Sequence, residues 1–197
     1  LIVGLILFLG IHSVSIVNAR WRDGMVARMG EMRWRGLFAL VAIAGFALIV
    51  WGYGLARQAP VLVYVPPPWL RHLSMLLLVF VLLMVIGRWT GFPLFLAAYL
   101  PGRIQRLTKH PMLVATKLWA VAHLLANGTL ADVVLFGSFL AWAVADRISL
   151  KRRVTPSVPG APASRWNDLI AVVAGLGLYL AFVFGAHLWL IGVSPMG

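Results

Sequence analysis

The chain has 197 residues and a formal net charge of +12; 62% of its residues are hydrophobic, 11% are charged and none is cysteine. A soluble domain carries about 25% charged residues, so this composition excludes an ordinary soluble domain, and the missing cysteines exclude disulfides, thiolate ligands and thiol nucleophiles. The positive charge does not point to nucleic acid: most basic residues lie in short loops between apolar runs, and no nucleic-acid recognition module is visible.

Six apolar runs follow in chain order, at about Leu1–Val17, Gly36–Leu55, Leu70–Gly87, Pro111–Asn127, Thr129–Asp146 and Asp168–Val193. Each approaches the roughly 18–20 residues that span a hydrocarbon core. They predict an all-α fold: one polytopic membrane bundle of about six transmembrane helices in a single domain over residues 1–197. The first run resembles a signal peptide ending at Val17-Asn18-Ala19, but its arginines follow the apolar run and do not precede it. It reads as a retained helix.

Loop charges orient the bundle. Arg20, Arg22, Arg28, Arg33 and Arg35 follow the first run; Arg88, Arg103, Arg106 and Lys109 precede the fourth; Arg147, Lys151, Arg152, Arg153 and Arg165 precede the sixth. Gln58–Trp69 and the Asn127-Gly128 turn carry no charge, although Arg57 and Arg71 flank the former. The positive-inside rule then places the N-terminus and the C-terminus outside and the basic loops in the cytoplasm of a multi-pass membrane protein. Gly91–Leu100 is too short to cross and is predicted to be re-entrant or interfacial. Pro156–Pro162 is predicted to be the most mobile loop.

Several residues have structural roles by position. Thr129 and Asp132 form a T-x-x-D capping box. Asn167 or Asp168 is expected to cap the last helix, and Pro111 fits a first helical turn. Gly137, Ala141 and Ala145 form a small-residue stripe suited to close helix packing. Trp21, Trp34, Trp69, Trp166 and Trp189 lie near span ends, as interfacial anchors do.

The five acids lie at or near helix ends or in basic loops, so a paired-carboxylate, aspartyl or Ser-His-Asp site has no obvious components. The histidines remain. His72 and His187 lie near outer helix ends, and His110 precedes Pro111. His12 and His123 are each about 18 Å from the start of an oppositely directed span, which is near the middle third of a core about 30 Å thick. An ionisable group at that depth marks a functional site. Zinc would want four ligands; haem needs axial ligands and a flat apolar slot. Gly4, Phe8, His12 and Ile16 share one helical face, and Thr116, Trp119 and His123, continued by Asn127, share another. Both faces suit a macrocycle, with Lys109, Arg106 or Arg20 available to propionates. Lys117 lies about 120° away from His123 around its helix and would snorkel instead. Spacing alone leaves two readings open: ligation of a haem iron, or hydrogen bonds to neighbouring helices.

GLILFLGIHSV, GRIQRLTKHPML and KLWAVAHLLANGTLADVVLFGSFLAWAVADR resemble the NnrU family of bacterial inner-membrane proteins, which is associated with denitrification and nitrogen-oxide metabolism. The resemblance covers most of residues 1–153, is strongest over 110–147 and is faint in the last helix, 168–193. The same pattern is similar to zeta-carotene isomerases, which use haem b. The resemblance implies a haem b cofactor with His12 and His123 as axial metal ligands and does not carry His110 over as one; Trp119, Lys109 and Arg106 stand beside that cofactor on the reading of helix faces and loop charges alone. It implies either nitrogen-oxide chemistry, with nitric oxide as ligand, or cis-trans isomerisation of an apolar polyene in the bilayer. The related plant enzymes carry a cysteine near the second histidine and this chain has none, so haem binding transfers better than isomerase activity. Catalytic residues stay unassigned. Two other classes remain: a non-catalytic accessory or assembly subunit associated with respiratory or photosynthetic membrane complexes, and an S-adenosylmethionine-dependent membrane methyltransferase built on His110-Pro111 with Asp146.

Overall fold

The computed structural model describes residues 1–83, 100–152 and 161–195. Most of the Gly91–Leu100 and Pro156–Pro162 segments and the end of the third apolar run lie outside the described residues. Among the described residues the chain is helical, without a strand; an isolated bridge pairs Leu62 with Thr129. Over the described residues each of the six predicted runs is helical for most of its length. Two helical stretches are long and apolar enough to cross a membrane, Glu31–Ala56 and Asn167–Ile191, and a third crossing exists if Ile2–Val17 and Ala19–Met29 count as one broken span. The chain forms two compact units, Leu1–Pro66 with Asn127–Thr155 and Pro67–Ala126 with Pro156–Gly197.

In the first unit, α1 (Ile2–Val17) and α3 (Glu31–Ala56) lie antiparallel at very close range. Glycine makes this possible. A methyl placed on Gly4 would stand 2.5 Å from the Ile49 nitrogen, and one on Gly45 would stand 2.6 Å from the Phe8 nitrogen. Small residues let helix backbones approach in this way where lipid-like surroundings supply no hydrophobic drive. Within the described residues of this unit the small-residue stripe predicted at Gly137, Ala141 and Ala145 makes no such approach: a methyl on Gly137 meets nothing within 4 Å, and Ala141 and Ala145 are exposed.

Between them lies α2 (Ala19–Met29), which the polar composition of the basic loop conceals in the sequence; it turns from α1 by 102°. Asn18 makes the corner, accepting from the Trp21 N–H at 2.9 Å as an N-cap. Gly30, at φ 84° and ψ 151°, makes the corner into α3, a conformation that favours glycine. Trp21 then meets Trp34 edge-on at 6.1 Å.

Further along the chain come α4 (Pro68–Leu83), α5 (Arg103–Thr108) and α6 (Pro111–Ala126), and then α7 (Leu130–Ser149), which packs on α1. Its capping box is formed as expected: Thr129 Oγ1 accepts from the Asp132 N–H at 3.2 Å, and Asp132 Oδ2 accepts from the Thr129 N–H at 3.0 Å. The 57–67 connector docks onto the turn before it. Gly128 O accepts from the Val63 and Tyr64 N–H groups at 2.9 and 3.1 Å, and the Leu130 N–H donates to Val61 O at 2.8 Å. Gly128 is required here, because any Cβ would collide with the Tyr64 carbonyl.

In the second unit α4 packs on α6. Helix α8 (Asn167–Ala181) continues through a wide turn at Phe182–Ala186 into α9 (His187–Ile191). The expected cap of α8 is corrected: neither Asn167 nor Asp168 caps its own helix. Asp168 accepts from the Arg103 and Ile104 N–H groups at 2.8 and 3.1 Å, so it serves the orphan donors of α5. Asn167 donates to the Pro101 and Pro162 carbonyls at 2.9 and 3.0 Å. The local sequence suits a cap; the α5 backbone competes for the same oxygens and holds them.

Candidate functional site

His12 is half-buried on α1, with Nδ1 2.6 Å from the Phe8 carbonyl oxygen one turn back. A carbonyl only accepts, so Nδ1 carries the proton, and in the neutral ring Nε2 carries the lone pair. Aromatic rings from three of the unit's helices surround the imidazole. Phe8 lies 4.4 Å away, Phe38 of α3 meets it edge-on at 4.9 Å, and Trp142 of α7 meets it at 6.1 Å and 89°.

Beside His12 a cavity of about 250 Å³ opens between α1, α2 and α3. Ser15, Arg22, Trp34 and Phe38 share its wall with the histidine. Trp34, expected as an interfacial anchor, is only 8% exposed; the Trp21 ring and the corner at Gly30 carry it inward. The other four tryptophans of that group are exposed. Of the face of Gly4, Phe8, His12 and Ile16 that suits a macrocycle in sequence, Gly4 is buried against α3 and His12 lines the cavity. A second, larger and apolar hollow of about 370 Å³ lies on the α1–α7 side, lined by residues such as Leu5, Leu9 and Ser138.

His123, in the second unit, repeats the hydrogen bond on α6. Its Nδ1 lies 2.8 Å from the Trp119 carbonyl oxygen, and the Trp119 ring is 5.2 Å away. Thr116, on the same face, is buried and donates to the Met112 carbonyl at 2.9 Å. Lys109 and Arg106 are exposed. Lys109 closes α5 at φ 60°, a left-handed value uncommon for a side chain with a Cβ. The turn lets the His110 carbonyl accept from the Leu113 and Val114 N–H groups at 3.1 and 3.2 Å, opening α6 at Pro111.

The remaining histidines differ. His72 is exposed, and His187 holds the Val193 carbonyl at 2.7 Å as the chain leaves α9. Among the described residues no group of three or more His, Cys, Asp or Glu side chains could hold a bare metal ion. A haem asks less of the chain, because the porphyrin fills four of the iron's positions.

Two features escape sequence reading. Asp132 is 4% exposed and accepts from the Tyr53 hydroxyl at 2.5 Å and the Thr129 hydroxyl at 2.6 Å, so the capping acid is also a buried bridge from α7 to α3. No local pattern marks a partner 79 residues away. Arg22 looks like any loop arginine, yet it turns inward beside His12. The faint signal is its place three residues before Met25 and four before Val26, on the half-buried face of α2.

No curated protein and no solved structure matches the chain. Among protein families, the one described as NnrU protein matches residues 1–195, including the last helix, where the resemblance read from the sequence is faint. The chain is a member of the NnrU family.

Proposed function

We propose that the chain is a haem b-binding protein of the bacterial inner membrane, with His12 and His123 as axial ligands. We also propose six crossings, the basic loops in the cytoplasm and the N-terminus in the periplasm. The observation that supports the haem reading best is the Nδ1 bond to the carbonyl one turn back on the same helix, at 2.6 and 2.8 Å, a form that the bond of His187 to Val193 does not share. Metal-ligating histidines characteristically donate their other N–H in this manner, which fixes the tautomer and makes Nε2 more basic. With no group of three ligating side chains among the described residues, such histidines fit a haem iron better than a bare cation.

A bound haem would supply a redox-active iron. The chain's own residues do the rest. The Phe8 carbonyl holds the Nδ1 proton of His12, while Phe38 and Trp142 hold its ring plane. Arg22 contributes positive charge at the rim. This arrangement serves either nitrogen-oxide chemistry, with nitric oxide as ligand, or isomerisation of a carotenoid-like polyene reached from the bilayer. An accessory role in a larger membrane complex needs no cofactor.

Absorption and pyridine-haemochrome spectra of the detergent-purified protein test the reading. Haem b at about one per chain is expected, with a low-spin spectrum. His12→Ala and His123→Ala should each disturb that spectrum, and His72→Ala and His187→Ala should leave it unchanged. A colourless protein from haem-replete cells rejects the proposal and favours the accessory role.

A further inference from the structure

Arg22 is unlike the other arginines of its segment. Arg20, Arg28, Arg33 and Arg35 are exposed, whereas the Arg22 side chain is 26% exposed and forms part of the cavity wall beside His12. Its ion-pair partner is Asp23, at 3.2 Å from Nη1, and the Asp23 side chain is 64% exposed. Pairs of that kind are weak. Its Nε is sealed from solvent and has no acceptor among the described residues. A second donor near the same histidine is in the same condition: Trp142 Nε1, on the ring that meets His12 edge-on.

Buried donors without acceptors are costly and rare, and a guanidinium more so than most. Arg22 is the one of the two that also lines the cavity, so its guanidinium marks a wall that lacks an acceptor-only group. The cavity wall offers no acid; it offers the Ser15 hydroxyl, the guanidinium and two aromatic faces. Arginine matches the geometry of carboxylates and phosphates through two adjacent N–H groups. At about 250 Å³ the space falls below the roughly 300–1,000 Å³ of a whole small-molecule site. It suits one end of a larger ligand.

We infer that the cavity between α1, α2 and α3 is a carboxylate site in which Arg22 is the charge partner. This rests on the haem reading above, under which the carboxylate is a haem propionate. Arg22 would then be a positioning residue that holds a propionate, with His12 as a residue that would ligate the iron. The site differs from the Lys109, Arg106 and Arg20 side chains expected from the sequence, all of which are exposed.

The test is haem transfer from the detergent-purified holoprotein to excess apomyoglobin, followed at the Soret band. Arg22→Gln should release haem roughly tenfold faster or more, the scale of a lost charge-assisted hydrogen bond. Its low-spin spectrum should not move, because the axial nitrogens are untouched. Arg22→Lys should recover part of the retention. Haem dimethyl ester, loaded into protein from haem-depleted cells, should leave the two forms at equal rates. Equal release of ordinary haem from wild type and Arg22→Gln overturns the inference. So does a Gln variant that also loses the ester form faster than wild type by the same factor, since that effect would come from packing. If the wild type binds no haem, the parent reading fails first, and the colourless protein shows it before any variant is compared.

Discussion

The two compact units hold themselves together differently. In the first, helix backbones touch through Gly4 and Gly45, and a buried carboxylate ties α7 to α3. In the second, the polar contacts run from the start of α8 to the backbone before and at the start of α5. His12 consequently sits among rings from three helices, where a small error in packing moves the imidazole. His123 rests on Trp119 of its own helix. The same hydrogen bond thus occurs once in a setting governed by long-range packing and once in a setting with a strong local component. The first should be sensitive to bulk, and the second to loss of backbone caps.

The strongest way to break that contrast is Gly45→Ile. Its Cβ would meet the Phe8 nitrogen at 2.6 Å and the Phe8 Cα at 3.0 Å, and helical backbone cannot step aside. Overpacking typically costs 1–3 kcal/mol, and with backbone as the obstacle a loss of about 3 kcal/mol or more is expected. Thermal unfolding in detergent measures it. Gly137→Ile, on the stripe that looks equally suited in sequence, should stay within roughly 0.5 kcal/mol. Equal losses at the two glycines would mean that the helices approach through α7 instead.

Next in size is Asp132→Ala. It leaves the Tyr53 hydroxyl and the Thr129 N–H without their acceptor inside the first unit, and about 2–4 kcal/mol should be lost. Tyr53→Phe removes one partner and should cost about 1 kcal/mol. If Tyr53→Phe is neutral, the bridge from α7 to α3 contributes nothing and Asp132 acts as a cap alone.

In the second unit the corresponding change is Asp168→Ala, with an expected loss of about 1 kcal/mol, the scale of a helix cap. Hydrogen exchange should quicken over residues 103–108 and not within α8, because Asp168 serves α5. Faster exchange at the start of α8 instead would restore the cap expected from sequence.

These cases show what can be read from sequence and what cannot. The apolar runs are legible because span length and composition are local properties, and the Thr129–Asp132 box is legible because both partners lie within one turn. His12 and His123 stand out because ionisable groups are conspicuous in apolar runs. Asp168 misleads because a residue can suit a cap locally while a distant backbone takes its oxygens. Gly45 and Gly137 look alike because nothing in either neighbourhood says which faces a helix. Arg22 is hidden among four exposed arginines until Asn18 and Gly30 turn α2 and carry it to the cavity.

The smallest expected effect concerns the connector that closes the first unit. The Tyr64 hydroxyl donates to the Asn127 carbonyl at 2.6 Å. Burial, and after it the negative charge of Asp132, hold its phenol above the ordinary value of 10.0. The folded chain therefore keeps this proton more tightly than the unfolded chain does. The resulting stabilisation is fully present below pH 10 and declines as the pH rises from there through the folded pKa. Tyr64 is exposed enough for solvent to screen much of the effect. Thermal unfolding of wild type and Tyr64→Phe should therefore run parallel up to about pH 10, with the wild type falling more steeply above it. Parallel curves throughout would show that the 57–67 connector is held by its backbone bonds to Gly128 and Leu130 alone, and would place this edge of the first unit among the cap-held structures typical of the second.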